Sequence, residues 1–131
     1  MFVDASALCA ILLKEPEADD FMGKITSAIQ PTTSPLAIYE TVTAVARAKA
    51  GGVAAARRDV ANLLVIVGIK VSVIGEAEGE LALDAFDRFG RGRHPARLNM
   101  GDCFAYACAR THGVPLLFKG DDFSQTDIAT A

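Results

Sequence analysis

Apolar residues recur along this chain in two periods, one helical and one extended. Leu8, Ile11 and Leu12 stand at helical spacing, so Ala5 to Leu13 is predicted to be a helix, broken by Lys14-Glu15-Pro16. Phe21, Ile25 and Ala28 share one face of a second helix, Glu17 to Ala28, with Pro16 near its start. Ser34-Pro35 is a helix-start pair, Ser as N-cap and Pro at the first position. That helix runs to about Ala50 and stops at Gly51-Gly52. Further helices are predicted from Val53 to Val67, from Glu76 to Phe89, and from Leu98 to Thr111 with Asn99 as cap. Between them lie shorter apolar runs. Met1-Phe2-Val3 and Pro115 to Phe118 read as buried strands, and Ile69 to Ile74 alternates and is β-branched. Gln30 to Thr33 is short and β-prone or irregular. Gly90 to Ala96 and Lys119 to Thr126 read as loops.

Strands that alternate with helices predict an α/β domain whose parallel sheet is covered on both faces. In such sheets, sites form outside the carboxyl ends of the strands. The 131 residues suffice for one core and are too few for two, so a single domain over 1–131 is expected. No repeat or interdomain linker interrupts it.

Composition narrows the class. Hydrophobic residues make up 51% and charged residues 22%, which favours a globule over disorder. The longest apolar runs fall well short of the roughly 20 residues of a membrane span. No basic, cleavable leader is visible at Met1-Phe2-Val3-Asp4, so a cytoplasmic location is expected. Cys9, Cys103 and Cys108 lie in apolar helical sequence, lack zinc-site spacing and read as small core residues. A net charge of −3 excludes a generic basic nucleic-acid coat. It leaves open local contact through Arg88, Arg91, Arg93, His94 and Arg97.

The chemistry concentrates in acids. Asp4 directly follows the first strand, Asp121 and Asp122 follow the last, Asp102 starts a helix and Glu40 lies within one. Each is embedded in apolar sequence, where an unpaired charge is costly. Brought to one mouth, they would repel unless a cation intervened, and hard oxygen donors suit Mg²⁺ or Mn²⁺. Such a cluster is the chemistry of metal-assisted phosphodiester hydrolysis. Each acid also has a plain structural reading. Asp4 can cap Ala5 to Leu13. Asn99 and Asp102 can form a capping box. Asp121 and Asp122 can be turn residues. Ser6 reads either as a hydroxyl of the site or as an ordinary first-turn residue, with the second slightly favoured. His112 reads as structural at a helix end. No phosphate-binding glycine loop and no Ser-His-Asp or Cys-His arrangement appears.

At these residues the chain resembles the PIN-domain ribonucleases, specifically VapC-type toxins of type II toxin–antitoxin pairs. The resemblance opens with Met1-Phe2-Val3-Asp4-Ala5-Ser6-Ala7-Leu8 and continues through Ser34-Pro35 and Tyr39-Glu40. It is most specific from Gly92 to Ala107, and closes with Pro115-Leu116-Leu117-Phe118-Lys119-Gly120-Asp121-Asp122-Phe123 and Thr126-Asp127-Ile128. It implies a three-layer α/β/α fold with a central parallel sheet. It implies a Mg²⁺-dependent endoribonuclease (Mn²⁺ being an alternative) acting on structured RNA such as transfer or ribosomal RNA. It also implies a homodimer, inhibited by a cognate VapB-type antitoxin. Carried over residue by residue, Asp4, Glu40 and Asp102 match the family's acidic triad. Asp122 is preferred as the fourth acid, with Asp121 adjacent and Asp127 an outsider. Arg91, Arg93 and His94 are expected to position RNA from the rim.

Two other classes fit parts of the pattern. One is a non-catalytic module that binds a metal or a partner at the same acidic mouth. The other is a phosphatase-like acid hydrolase, for which Lys119 is the only loop lysine available to phosphate.

Overall fold

The computed structural model describes residues 1–131. Its elements run β1 (Phe2–Val3), α1 (Ala5–Leu12), α2 (Ala18–Ser27), β2 (Thr32–Thr33), α3 (Pro35–Ala48) and α4 (Gly52–Val67). They continue with β3 (Lys70–Val71), α5 (Glu76–Phe89), α6 (Met100–His112) and β4 (Leu116–Leu117). The four strands form one parallel sheet in the order β3-β2-β1-β4. β1 is therefore central, with Phe2 opposite both Thr32 and Leu116.

Side-chain alternation along the strands divides the interior into two cores. Phe2 and Leu116 pack with Ala82, Phe89, Leu98 and Tyr106 under α5 and α6. Val3 and Leu117 pack with Leu8, Phe21, Ile25 and Leu63 under α1, α2 and α4. A smaller cluster of Val42, Val45, Ala56 and Val60 joins α3 to α4. These layers are the three-layer α/β/α arrangement expected from the sequence.

Boundaries shift where strands meet solvent. Ile69 to Ile74 alternates like a full strand, yet only Lys70–Val71 pairs. β3 is a sheet edge, so one side of it has no partner, and Val71 and Val73 are exposed. After Ser72 N–H donates to Thr33 O, the chain turns away toward α5. Thr32–Thr33, ambiguous in sequence, is a true strand. The buried Thr33 hydroxyl donates to Val3 O at 2.8 Å, which ties β2 to β1. Ser34 caps α3 as expected, its hydroxyl accepting from Ala37 N. Leu98, expected inside α6, lies before it and bridges to Gly90.

The connections decide where a site can form. From β1 the chain steps outward to β2 and β3, then crosses over α5 and α6 to lay β4 on the opposite side of β1. The strand order reverses between β1 and β4, and the carboxyl ends of these two strands border a crevice. Asp4 leaves β1 at that crevice, and Phe118 to Phe123 leave β4. No helix is long and apolar enough to cross a membrane.

Candidate active site

Asp4, a candidate site residue, is the N-cap of α1. It is buried, and its Oδ2 accepts from Ser6 N at 2.9 Å and from Ser6 Oγ at 2.6 Å. The first bond satisfies an orphan donor of α1. Ser6 Oγ also accepts from Lys119 N at 2.9 Å. Ser6 thus spans the crevice, linking the acid after β1 to the backbone after β4. Ser6 lies in the first turn of α1, the reading slightly favoured from sequence, and its hydroxyl also bonds the Asp4 carboxylate and the Lys119 backbone. The signal was available, because a hydroxyl two residues after a capping Asp can reach its carboxylate.

Asp102, the second candidate, is also part of a cap. Asn99 Oδ1 accepts from Asp102 N at 3.1 Å, while Asp102 Oδ2 accepts from Asn99 N at 2.8 Å. This capping box fixes the acid in the first turn of α6. Glu40 comes from the middle of α3 and is half-buried. Its carboxylate lies against Gly101, the residue before Asp102. Asp122 is held by its neighbour Phe123, which is buried and packs on Phe118 with ring centroids 4.9 Å apart.

The acids act on one another. Burial raises the Asp4 pKa, and the charge of Asp122 adds to this, while the hydrogen bonds from Ser6 oppose it. Burial and the charges of Asp4 and Asp102 push Glu40 up to about 7. Burial raises Asp102 to about 6, with further contributions from Asp4 and Asp122, against the Asn99 hydrogen bond and Arg91. Asp122, rather than Asp121, is the acid that presses on both Asp4 and Asp102. Asp127 is elsewhere. Its Oδ1 accepts from the Tyr106 hydroxyl at 2.6 Å and its Oδ2 from Arg88 at 2.7 Å, so it anchors the C-terminal segment to α5 and α6.

No three of these groups stand close enough to hold one ion directly. The donor set still fits a hard divalent cation. It consists of carboxylate oxygens, its acids raise one another's pKa, and the Glu40 carboxylate has no hydrogen-bond or ion-pair partner, the side-chain donor Thr43 reaching only its main-chain carbonyl. Mg²⁺ keeps several waters and needs only one or two direct carboxylates, so a looser cluster suits it.

The basic rim is less uniform than expected. Arg91 lies near enough to Asp102 to lower its pKa. Arg93 turns away to pair with Asp87 at 2.6 Å and stands over the Phe86 ring. His94 Nδ1 accepts from Ala96 N at 3.2 Å, and its ring meets Phe89 edge-on. Lys119 Nζ pairs with Glu15 at 2.7 Å and Glu17 at 3.2 Å. That commitment removes the lysine a phosphatase reading requires. All three cysteines are free, with Cys103 and Cys108 buried in the core as expected.

A parallel sheet with an acidic crevice at its switch point defines a class, and comparison with known proteins agrees with it. The PIN-domain family model matches residues 1–129. A VapC ribonuclease of Rhizobium meliloti is 37% identical, the alignment covering 97% of this chain and 98% of the relative. Ribonuclease VapC30 of Mycobacterium tuberculosis is also 37% identical, over 99% of this chain and 97% of its own. The chain therefore belongs to the PIN-domain family, among its VapC ribonucleases. Among solved structures, M. tuberculosis VapC20, a toxin that cleaves the sarcin-ricin loop, superposes with a TM-score of 0.78. It is 21% identical, with 99% of this chain and 97% of that chain covered, and shows likeness of fold. A toxin–antitoxin complex from Klebsiella pneumoniae gives a TM-score of 0.73 at 13% identity, over 99% of this chain and 95% of that one.

Proposed function

We propose that this chain is the toxin of a type II toxin–antitoxin pair. In this reading it acts as one PIN domain over residues 1–131, a Mg²⁺- or Mn²⁺-dependent endoribonuclease that hydrolyses phosphodiester bonds in structured RNA. The observation that carries this reading is the convergence of Asp4, Glu40, Asp102 and Asp122 on one crevice, with the first three held above ordinary carboxylate pKa values. A site of that charge favours a divalent cation. Asp4 and Asp102 would hold the ion, with Glu40 and Asp122 completing the set directly or through water. When bound, it supplies Lewis-acid activation of water and neutralises charge on the phosphodiester.

The chain's own groups do the rest. Ser6 and Asn99 fix the Asp4 and Asp102 carboxylates by their caps, so the acids are oriented before substrate arrives. Arg91 contacts the RNA backbone beside Asp102. His94 holds the loop that presents Arg91, and Arg93 reaches RNA by exchanging Asp87 for a phosphate. Transfer or ribosomal RNA is the substrate class, a cognate VapB-type antitoxin the inhibitor, the assembly a homodimer and the cytoplasm its compartment.

One observation favours a second reading. The carboxylates do not by themselves close on one ion, as in a non-catalytic module that takes a metal weakly or docks a basic partner. Cleavage of total cellular RNA by purified, antitoxin-free protein separates the two. Discrete products with Mg²⁺ or Mn²⁺, absent with EDTA and absent from Asp4→Asn, establish the nuclease. No cleavage in either metal, across several RNA sources, moves the weight to the binding module.

A further inference from the structure

Gly101 occupies the first turn of α6, between Met100 and Asp102. Its backbone gives no reason for glycine, since it is not among the residues of positive φ. Glycine within a helix is less favourable than alanine. What distinguishes the position is its neighbour. A Cβ on Gly101 would fall inside the Glu40 carboxylate, overlapping both oxygens and the carboxyl carbon, and would meet no other group as closely. That carboxylate is otherwise held by nothing, because Glu40 accepts no hydrogen bond on its side chain and enters no ion pair. Asp4 and Asp102 both repel it.

We propose that Gly101 is a positioning residue whose missing side chain is the seat of the Glu40 carboxylate, and that this vacancy holds Glu40 among Asp4 and Asp102 for cation binding. The inference rests on the proposed acidic metal site and adds to it the device that places the one acid no hydrogen bond orients. α3 supplies Glu40 from mid-helix, and α6 supplies the opposing wall one residue before Asp102. A single atom at position 101 therefore controls the distance between two carboxylates that lie 62 positions apart in sequence (102 − 40).

The arrangement separates stability from function. The atoms that a Cβ would strike belong to the free end of a flexible side chain, which can swing aside. Gly101→Ala should therefore fold as well as the parent or better, because alanine favours the helix. It should displace Glu40 and weaken cation binding. A glycine needed for close packing of α3 on α6 would behave in the opposite way.

The test is Mn²⁺ binding by calorimetry, with thermal melts, on the parent, Gly101→Ala, Glu40→Ala and the double variant. We expect Gly101→Ala to melt no lower than the parent and to bind Mn²⁺ about 10- to 100-fold more weakly, as for loss of a group that orients a ligand. The double variant should bind no more weakly than Glu40→Ala. Parent-like Mn²⁺ affinity in Gly101→Ala, a much lower melt, or additive losses in the double variant would each overturn the role of Gly101 and leave the metal site standing. Failure of the parent itself to bind Mn²⁺ would overturn the metal-site reading, and this inference with it.

Discussion

Ser6 and Lys119 lie 113 positions apart in sequence and meet across the crevice, the Lys119 N–H donating to the Ser6 hydroxyl at 2.9 Å. The same hydroxyl donates to Asp4 Oδ2 at 2.6 Å. One side chain thus links the segments that leave the first and last strands and holds the Asp4 carboxylate there.

Ser6→Ala removes both links and leaves the Lys119 N–H without its acceptor. A loss of about 1–3 kcal/mol is expected, on the scale of an unsatisfied, partly buried donor. The Ser6 hydroxyl bond also lowers the Asp4 pKa, so the variant, which keeps only the backbone bond, should need higher pH to ionise Asp4. Urea titration measures the first effect. A shift of the acidic limb of RNA cleavage to higher pH measures the second.

Asp102→Asn should separate fold from chemistry. A carboxamide oxygen can still accept from Asn99 N, so the capping box survives. The negative charge does not survive, and RNA cleavage should be lost. Circular dichroism and melting should match the parent. Full activity in a well-folded Asp102→Asn protein would refute the role assigned to this acid.

Metal-free protein should lose stability as pH rises. Asp4, Glu40 and Asp102 all have folded pKa values above their unfolded ones, so between the two the folded state binds more protons. Their contribution is fully present below about pH 4, the unfolded carboxylate range. It is lost as pH rises through the folded values of about 6 for Asp102 and about 7 for Glu40. Melts in EDTA from pH 4 to 8 should show this decline beyond that of Asp102→Asn. Added Mg²⁺ should reverse it at the alkaline end by binding only the folded state. A flat profile that Mg²⁺ leaves unchanged would contradict the cluster's proposed electrostatics.

The two rim arginines should differ. Arg91→Ala, made in an inactive Asp102→Asn background, should weaken RNA binding and reduce its salt slope by about one ion, as for loss of one phosphate contact. Arg93→Ala should do less, because Arg93 is already engaged by Asp87. That exposed pair contributes only about 0–1 kcal/mol to stability. Filter binding over a range of salt resolves the two. Equal slopes for both variants would count against the distinction.

Asp127→Ala should cost stability without touching catalysis directly. It withdraws the acceptor of the Tyr106 hydroxyl and the partner of Arg88. A loss of about 1 kcal/mol is expected for such a hydrogen bond, with cleavage per folded molecule retained. Abolished cleavage at full stability would return Asp127 to the list of acids at the site.

The architecture was legible because two hydrophobic periods alternate cleanly along the chain. β3 was overestimated because alternation in Ile69 to Ile74 signals a strand and cannot show that only one edge of it is paired. At the site, capping and chemistry were read as rivals for Asp4 and Asp102. The two are compatible, because each cap bonds to Oδ2 of the carboxylate and no cap bond uses Oδ1. Asp122 was preferred over Asp121 because it directly precedes Phe123, and in the structure Phe123 is buried while the charge of Asp122 acts on Asp4 and Asp102. Arg93 and His94 share a basic run with Arg91, yet they engage Asp87, Phe89 and Ala96, near neighbours in sequence whose contacts depend on how the loop from Gly90 folds back.

The pairing of Phe2 with Leu116 also bears on how the molecule comes into being. Helical hairpins such as α5 and α6 can close early, since their partners are near in sequence. The β1–β4 register encloses most of the chain as a single loop, so its closure carries a large entropic penalty and comes late. Asp4 and Asp122 come to the same crevice only through that closure. Partly folded molecules would then carry native helices and no assembled crevice, and RNA cleavage should return in the slowest phase of refolding.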